Sequence, residues 1–261
     1  MNEDVRTFAE EPAAWGEIDP RSGLERLLTD RYCLLFGPVP SFTMVSRLRL
    51  DPDSIAETVH EVRAEIARRG HREATWEVAA SATPGDLVDR LLGHGFEPDD
   101  HQTSLVLESA PAPGPRDITA RRIESLEEFR LAAGVSRRAF GTSPERAAEW
   151  DAIAGERFAA ERAGYAPRCY LAFDGDTAIG CAHSIVEDDC PAALLISGGV
   201  VPEARGRGAY RALVRARWDD AAASGFGALA VHARATSRPI LERLGFEKVA
   251  EHEVLRDPAT C

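Results

Sequence analysis

The chain has 261 residues, 44% of them apolar and 28% charged, with a formal net charge of −12 at pH 7. This is ordinary globular composition, with enough chain for one large core or two small ones. The acidic balance disfavours a nucleic-acid partner, whose phosphates reward basic faces, and no apolar run approaches the ~18 residues of a membrane span.

The opening stretch, MNEDVRTFAEEPAAWGE, is acidic and polar, the opposite of a secretion signal. Five cysteines (Cys33, Cys169, Cys181, Cys190 and Cys261) form an odd set without CxxC spacing. They read as free thiols in a reducing cytoplasm, and the sequence offers no metal-ligand set.

In the first half, Phe42–Leu50 reads as a strand and Asp53–Arg69 as a helix, with Asp51-Pro52-Asp53 between them. A strand over Ala74–Ala80 follows, then Thr83-Pro84, a helix to Leu92, the stretch LLGHGFE, and a closing strand over His101–Leu107. Clustered prolines from Glu108 to Arg116 mark a linker. The boundaries are therefore a first unit over 1–109, a linker over 110–115 and a second unit over 116–261. Positions 1–109 carry 21 acids against 11 arginines, a net of −10. Positions 110–261 carry 22 acids against 20 basic side chains, a net of −2, and so tolerate an anionic ligand better.

The second half opens with a strand over Ile118–Ile123. A helix from the capping box Ser125-Leu-Glu-Glu runs to about Ala139, and another from Pro144 to about Ala160. Cys169–Phe173 and Thr177–Val186 flank the hairpin turn Asp174-Gly175-Asp176. The apolar run 192–196 is a strand that leads through Ser197-Gly198-Gly199 into VVPEARGRGAYRALVRARW. A long helix then ends at Ser224-Gly225-Phe226-Gly227. A strand over Ala228–Ala233, a helix from Ser237 to Leu244 and a strand over Glu247–Leu255 complete the chain. This order is α/β, a mixed twisted sheet with helices on both faces and a parallel crossover around the glycine turn.

LERLGFE at 241–247 falls where LLGHGFE falls in the first half, so the chain reads as two related units. They differ at the strand-to-helix turn. The second has Arg205-Gly206-Arg207-Gly208, where backbone N–H groups, a helix N-terminus and guanidinium groups converge on a space suited to phosphate. The first has two carboxylates there, which repel one. The alternative for the second turn is a plain strand-to-helix connection with surface arginines. Arg211 at the third position rules out a Gly-x-Gly-x-x-Gly dinucleotide turn, and Gly-Lys-Ser/Thr is absent.

These residues, from Val200-Val201-Pro202-Glu203 through Tyr210, together with LERLGFE, resemble the GNAT superfamily of acyl-CoA-dependent N-acyltransferases over 116–256. The resemblance implies a tandem form with a degenerate first unit. It implies acetyl-CoA as cosubstrate, held by Gly199, Val200, Val201, Arg205, Gly206, Arg207, Gly208, Ala209 and Tyr210, with no metal. It implies transfer of an acetyl group to an amine, for which a small-molecule acceptor is expected. A bulge at Gly198-Gly199 is expected to turn an N–H toward the thioester carbonyl. Gly208→Asp is expected to abolish binding without unfolding the protein.

Two positions depart from the pattern. Tyr210 stands where a glycine or alanine is usual, either packing on the cofactor or covering the helix start. Leu241 stands where many members have a tyrosine that protonates the departing thiolate. His232 is the remaining acid/base candidate, with a structural histidine as the alternative. Glu187 and Asp188 read as solvated, Ser237 as an N-cap, and Arg234 as a contact to cofactor or solvent. A non-catalytic acyl-CoA-binding module and an O-acyltransferase remain open as other readings.

Overall fold

A computed structural model describes residues 1–260; Cys261 lies outside the described residues. Among the described residues the strands form one eleven-stranded sheet. In chain order they are β1 (Glu25–Leu28), β2 (Cys33–Phe36), β3 (Thr43–Ser46), β4 (Thr75–Ala79), β5 (Glu97–Leu107), β6 (Ile118–Arg122), β7 (Arg168–Asp174), β8 (Thr177–Ile185), β9 (Ala193–Val200), β10 (Leu229–Arg234) and β11 (Glu247–Arg256). The helices are α1 (Glu3–Glu10), α2 (Ile55–Arg68), α3 (Leu87–Gly93), α4 (Leu126–Phe140), α5 (Pro144–Ala152), α6 (Ala154–Arg162), α7 (Ala209–Ala223) and α8 (Arg238–Arg243). None of these is long and apolar enough to cross a membrane.

Local chemistry explains most boundaries. Ser125 caps α4 by accepting the Glu128 N–H at 3.2 Å, and Gly141 ends the helix in the left-handed region. Ser143 caps α5, with Pro144 in its first turn. The single helix expected over 144–160 is broken at Ile153, whose φ of −105° and ψ of 9° leave helical space. The two pieces serve different surfaces: Trp150 of α5 meets Phe42 of the first half edge-on, and buried Glu161 of α6 pairs with Arg122. The strand expected over 42–50 stops at Ser46 because Arg47 turns to φ 51°.

Strand order is β1-β2-β3-β4-β11-β5-β10-β9-β8-β7-β6, which interleaves the two halves. The first half's last strand, β5, pairs antiparallel with β10 of the second, and β11 pairs antiparallel with β4 of the first. Packing follows the pairing. Leu255 of β11 joins the core of Trp76, Leu87, Leu91 and Phe96, while Leu105 and Leu107 of β5 join that of Val214, Leu229 and Leu241. The boundary at 110–115 thus divides the sequence and not the sheet. Residues 108–117 run without regular structure along α7, where the Pro111 carbonyl accepts from Arg215 Nη1 at 2.9 Å.

Helices cover both faces. Alternation along β10 sends Val231 toward α7 and α8, and sends Ala230 toward α1 with Val5, Phe8 and Ala9. Among the described strands the parallel pairs are β9–β10 and β3–β4, one in each half. The β9–β10 ladder is confined to 193–195 with 229–231 and then splays, whereas β3–β4 pairs at 44–45 with 75–76 and the two segments meet again in a parallel bridge at Arg49 and Thr83.

Candidate active site

The splay between β9 and β10 opens toward the glycine turn at the start of α7. Gly208 is the N-cap of α7 at φ 89°, the helix has no side-chain cap, and no acid lies in its first turn. Its first N–H groups therefore keep their positive end uncompensated. Gly206, at φ 79°, faces open space where a Cβ would meet nothing within 4 Å. The corresponding turn in the first half is self-satisfied: Asp51 Oδ1 accepts the Asp53 N–H at 2.9 Å, and Glu57 occupies the first turn of α2.

The arginines of the turn are already engaged. Arg205 folds back to donate to Val200 O at 3.3 Å and Ala139 O at 3.2 Å, tying the end of α4 to β9. Arg207 pairs with Asp174 at 2.6 Å. Backbone N–H groups, rather than free guanidinium groups, are what the turn presents. Val201 and Ala209 are buried, and Gly199 admits α4, since a Cβ there would lie 2.9 Å from Ala139 and Phe140.

Gly208 has a second role that the sequence does not show. A Cβ on it would lie 2.4 Å from Pro115 Cγ, so the linker seals the underside of the turn. A side chain at 208 would therefore strain the fold, where the sequence alone predicts that Gly208→Asp leaves it intact.

β9 carries a bulge, one residue earlier than expected. Pairing with β8 shifts between Cys181–Gly199 and His183–Ile196, and Ser197 takes the left-handed φ of 50°. Beside the bulge stands Tyr210, whose ring would come within 3.1 Å of a Cβ on Gly198. Arg217 lies next to it, 1% exposed, donating to Leu213 O at 3.1 Å and His183 O at 3.2 Å. Its Nη2 has no hydrogen-bond partner, and no carboxylate pairs with it among the described residues. Burial pushes the Tyr210 phenol up and the Arg217 guanidinium down from their ordinary values. Arg217 escapes a reading of the sequence, although Tyr210, Leu213, Val214 and Arg217 fall on one helical face at i, i+3, i+4 and i+7.

His232 lies on the other face of the sheet. Its Nε2–H donates to Ala9 O at 2.9 Å, its Nδ1 faces Glu77 at 3.6 Å, and its ring stacks on His252 with centroids 4.4 Å apart. Burial opposes its charge, but the Glu77 carboxylate outweighs this and raises its pKa. Leu241 is fully buried on α8 within the core of the second half. Arg234 pairs with Asp100 at 2.8 Å. Ser237 stands at the start of α8 without capping it; its hydroxyl donates to Arg234 O at 3.2 Å. Glu187 and Asp188 lie beyond β8, at the end of the sheet away from the glycine turn, and burial raises the Glu187 pKa.

The model of the acetyltransferase (GNAT) family matches residues 135–246, from within α4 to the end of the LERLGF segment. No curated protein matches the chain. A GCN5-related N-acetyltransferase from Kribbella flavida superposes with a TM-score of 0.68 at 16% identity, over 97% of this chain and 95% of that one. One from Sphaerobacter thermophilus gives 0.58 at 17%, over 88% and 81%. A tandem GNAT protein from the clavulanic acid biosynthesis pathway gives 0.55 at 16%, over 87% and 78%. The matched segment holds the glycine turn, the bulge and the splay, and the mixed α/β fold around it extends over nearly the whole chain. Residues 135–246 are thus similar to the GNAT acetyltransferase family, and the fold is that of the GNAT structures.

Proposed function

We propose that this protein is an N-acetyltransferase that moves an acetyl group from acetyl-CoA to an amine, with a small molecule as acceptor. One observation carries the reading: an uncapped helix N-terminus with an open glycine at 206 lies beside a bulged strand at 197–198. Acyl transfer from a CoA thioester needs both, an anchor for the pyrophosphate and a donor for the carbonyl oxygen.

The residues present fit this cosubstrate. Amides from Gly206 to Tyr210 supply phosphate donors, and the splay supplies unpaired strand edges for the pantetheine arm. A neutral amine attacks the thioester carbon, the C–N bond forms, the C–S bond breaks, and the amine proton leaves to solvent. We assign stabilisation of the negative charge on the carbonyl oxygen to the bulge N–H and to Arg217, whose charge has no internal partner. Leu241 leaves α8 without an acid, so we assign protonation of the leaving sulfur to Tyr210. Free buried thiols fit a reducing cytoplasm as the site of action.

The test is thiol release from acetyl-CoA with a panel of amines, read alongside calorimetric binding of CoA. Thiol release that depends on the amine supports the reading. Saturable binding without release would instead assign a non-catalytic acyl-CoA module, which the buried Leu241 favours over an O-acyltransferase.

A further inference from the structure

The acyl-transfer reading leaves unused a set of side chains where the two halves interleave. Glu77 comes from β4, His232 from β10 and His252 from β11, and the sheet register sets them on the face covered by α1. One donor atom from each lies within 4.8 Å of the other two. His252 is 1% exposed, and its Nδ1 has no hydrogen-bond partner.

The far side of each imidazole is held. His232 Nε2–H donates to Ala9 O at 2.9 Å, and His252 Nε2 is joined to Ser104 Oγ at 2.6 Å. With Nε2 protonated, neutral His232 turns the lone pair of Nδ1 toward a carboxylate oxygen 3.6 Å away. Two acceptors then face one another, and something positive must lie between them. A proton on His232 would satisfy Glu77 but leave His252 Nδ1 orphaned in the interior, at the cost that any buried unpaired polar atom carries. A cation satisfies all three at once.

We propose that Glu77, His232 and His252 bind a divalent cation of borderline softness, zinc before others, at the junction of the two halves. Two imidazoles and a carboxylate are a zinc donor set. A tetrahedral ion with bonds of ~2.1 Å separates its donors by ~3.4 Å, close to the observed gap between Nδ1 and the carboxylate. The side chains of His232 and Glu77 keep 13% and 15% exposure, which leaves access for water as the fourth ligand. Ala9 and Ser104 provide the outer hydrogen bonds that orient ligating histidines. Glu77 is remote from both histidines in the chain, and the three stand on separate strands, so no spacing motif announces them. Because Glu77 belongs to the first half and the histidines to the second, the cation would bind only the assembled sheet.

The experiment uses full-length protein stripped of metal and titrated with zinc and with cobalt. One equivalent is expected to bind, with visible cobalt bands of a tetrahedral nitrogen–oxygen site, and zinc is expected to raise the thermal midpoint. Glu77→Gln should weaken binding at least tenfold and abolish the zinc-dependent midpoint shift. Ser104→Ala should weaken binding about tenfold by freeing the His252 ring. Cys190→Ser should change nothing; it removes the thiol of the other group of possible ligands, Glu187, Asp189 and Cys190. Absence of saturable binding to folded protein overturns the proposal, as does binding unaffected by Glu77→Gln or lost in Cys190→Ser. Should Glu77→Gln not fold, the wild-type cobalt spectrum decides, since a thiolate charge-transfer band would place the ion at Cys190. None of these readouts depends on acyl transfer.

Discussion

Pro115, in the linker between the halves, sits against Gly208 so closely that a Cβ at 208 would come within 2.4 Å of its Cγ. The turn that faces the proposed cosubstrate is therefore supported from behind by the only segment that joins the two units covalently. Substitution at 208 reports on this contact first. Gly208→Ala combines a φ of 89° with the clash, and should cost on the order of 2–4 kcal/mol, as backbone strain and overpacking add. Urea unfolding measures it. A loss below about 0.5 kcal/mol, the range of an uninvolved surface position, would mean that the linker does not rest on the turn.

Gly206 is the position that isolates the anion. Its φ of 79° is one that Asn and Asp tolerate, and nothing occupies the space a side chain would enter. Gly206→Asn should leave CoA affinity within about threefold. Gly206→Asp should lower it at least tenfold, or about 1.4 kcal/mol, through charge repulsion at short range. Calorimetry on the two variants provides the comparison, and equal affinities would remove the phosphate from this turn.

Tyr210 stands beside the bulge, where α8 offers only Leu241. Tyr210→Phe keeps the ring and removes the proton, so kcat should fall about tenfold or more while KM for acetyl-CoA stays within threefold. An unchanged kcat would give the proton to solvent. Leu241→Tyr should not restore activity. Leu241 is fully buried, and a larger polar ring there should cost roughly 1–3 kcal/mol of stability.

His183 gives a pH signature. Burial, reinforced by the Arg217 and Arg157 charges, depresses its pKa to about 4. In the unfolded chain it returns to about 6.5, so the unfolded state takes up the proton first. The neutral folded form is fully favoured above pH ~6.5, and its contribution declines as pH falls from there toward 4, at no more than about 1.4 kcal/mol per unit. His183→Gln should be less stable at pH 7 yet lose less between pH 6.5 and 4.5 than wild type. Parallel stability profiles would exclude His183 as the source.

Much of the second half is legible because its signals are local. Ser125, Ser143 and Gly141 act within a turn of where they stand, and Gly206 and Gly208 take left-handed angles open to glycine. Before Phe42 the local signals are fewer and fall on short elements: Asn2 caps α1 by accepting the Asp4 N–H at 2.9 Å. The strands β1 and β2 have four residues each, and α1 buries only Val5, Phe8 and Ala9, so neighbours rather than propensity hold them. The exchange of β5 and β11 is illegible for a different reason. LLGHGFE and LERLGFE deliver equivalent strands from equivalent helices, and the same apolar pattern serves either pairing. Sequence also leaves open which face of β10 His232 takes, and so makes it a candidate for the chemistry of the glycine turn. Glu77 and His252 meet it only through that exchange.

The exchange also bears on how the chain came to be and why its first half persists. Two separate chains that traded their last strands would form a two-fold dimer, and joining one copy's β5 to the other's β6 through a segment like 108–117 would give this topology. The first turn, Asp51-Pro52-Asp53, is not what the second half takes from the first. The strands around it could not be lost. Deleting positions 1–109 would remove β5 from between β10 and β11 and leave the second unit with an unfilled gap in its own sheet. The sheet that carries the glycine turn therefore depends on the first half for a strand, whatever the first half's own turn can or cannot hold.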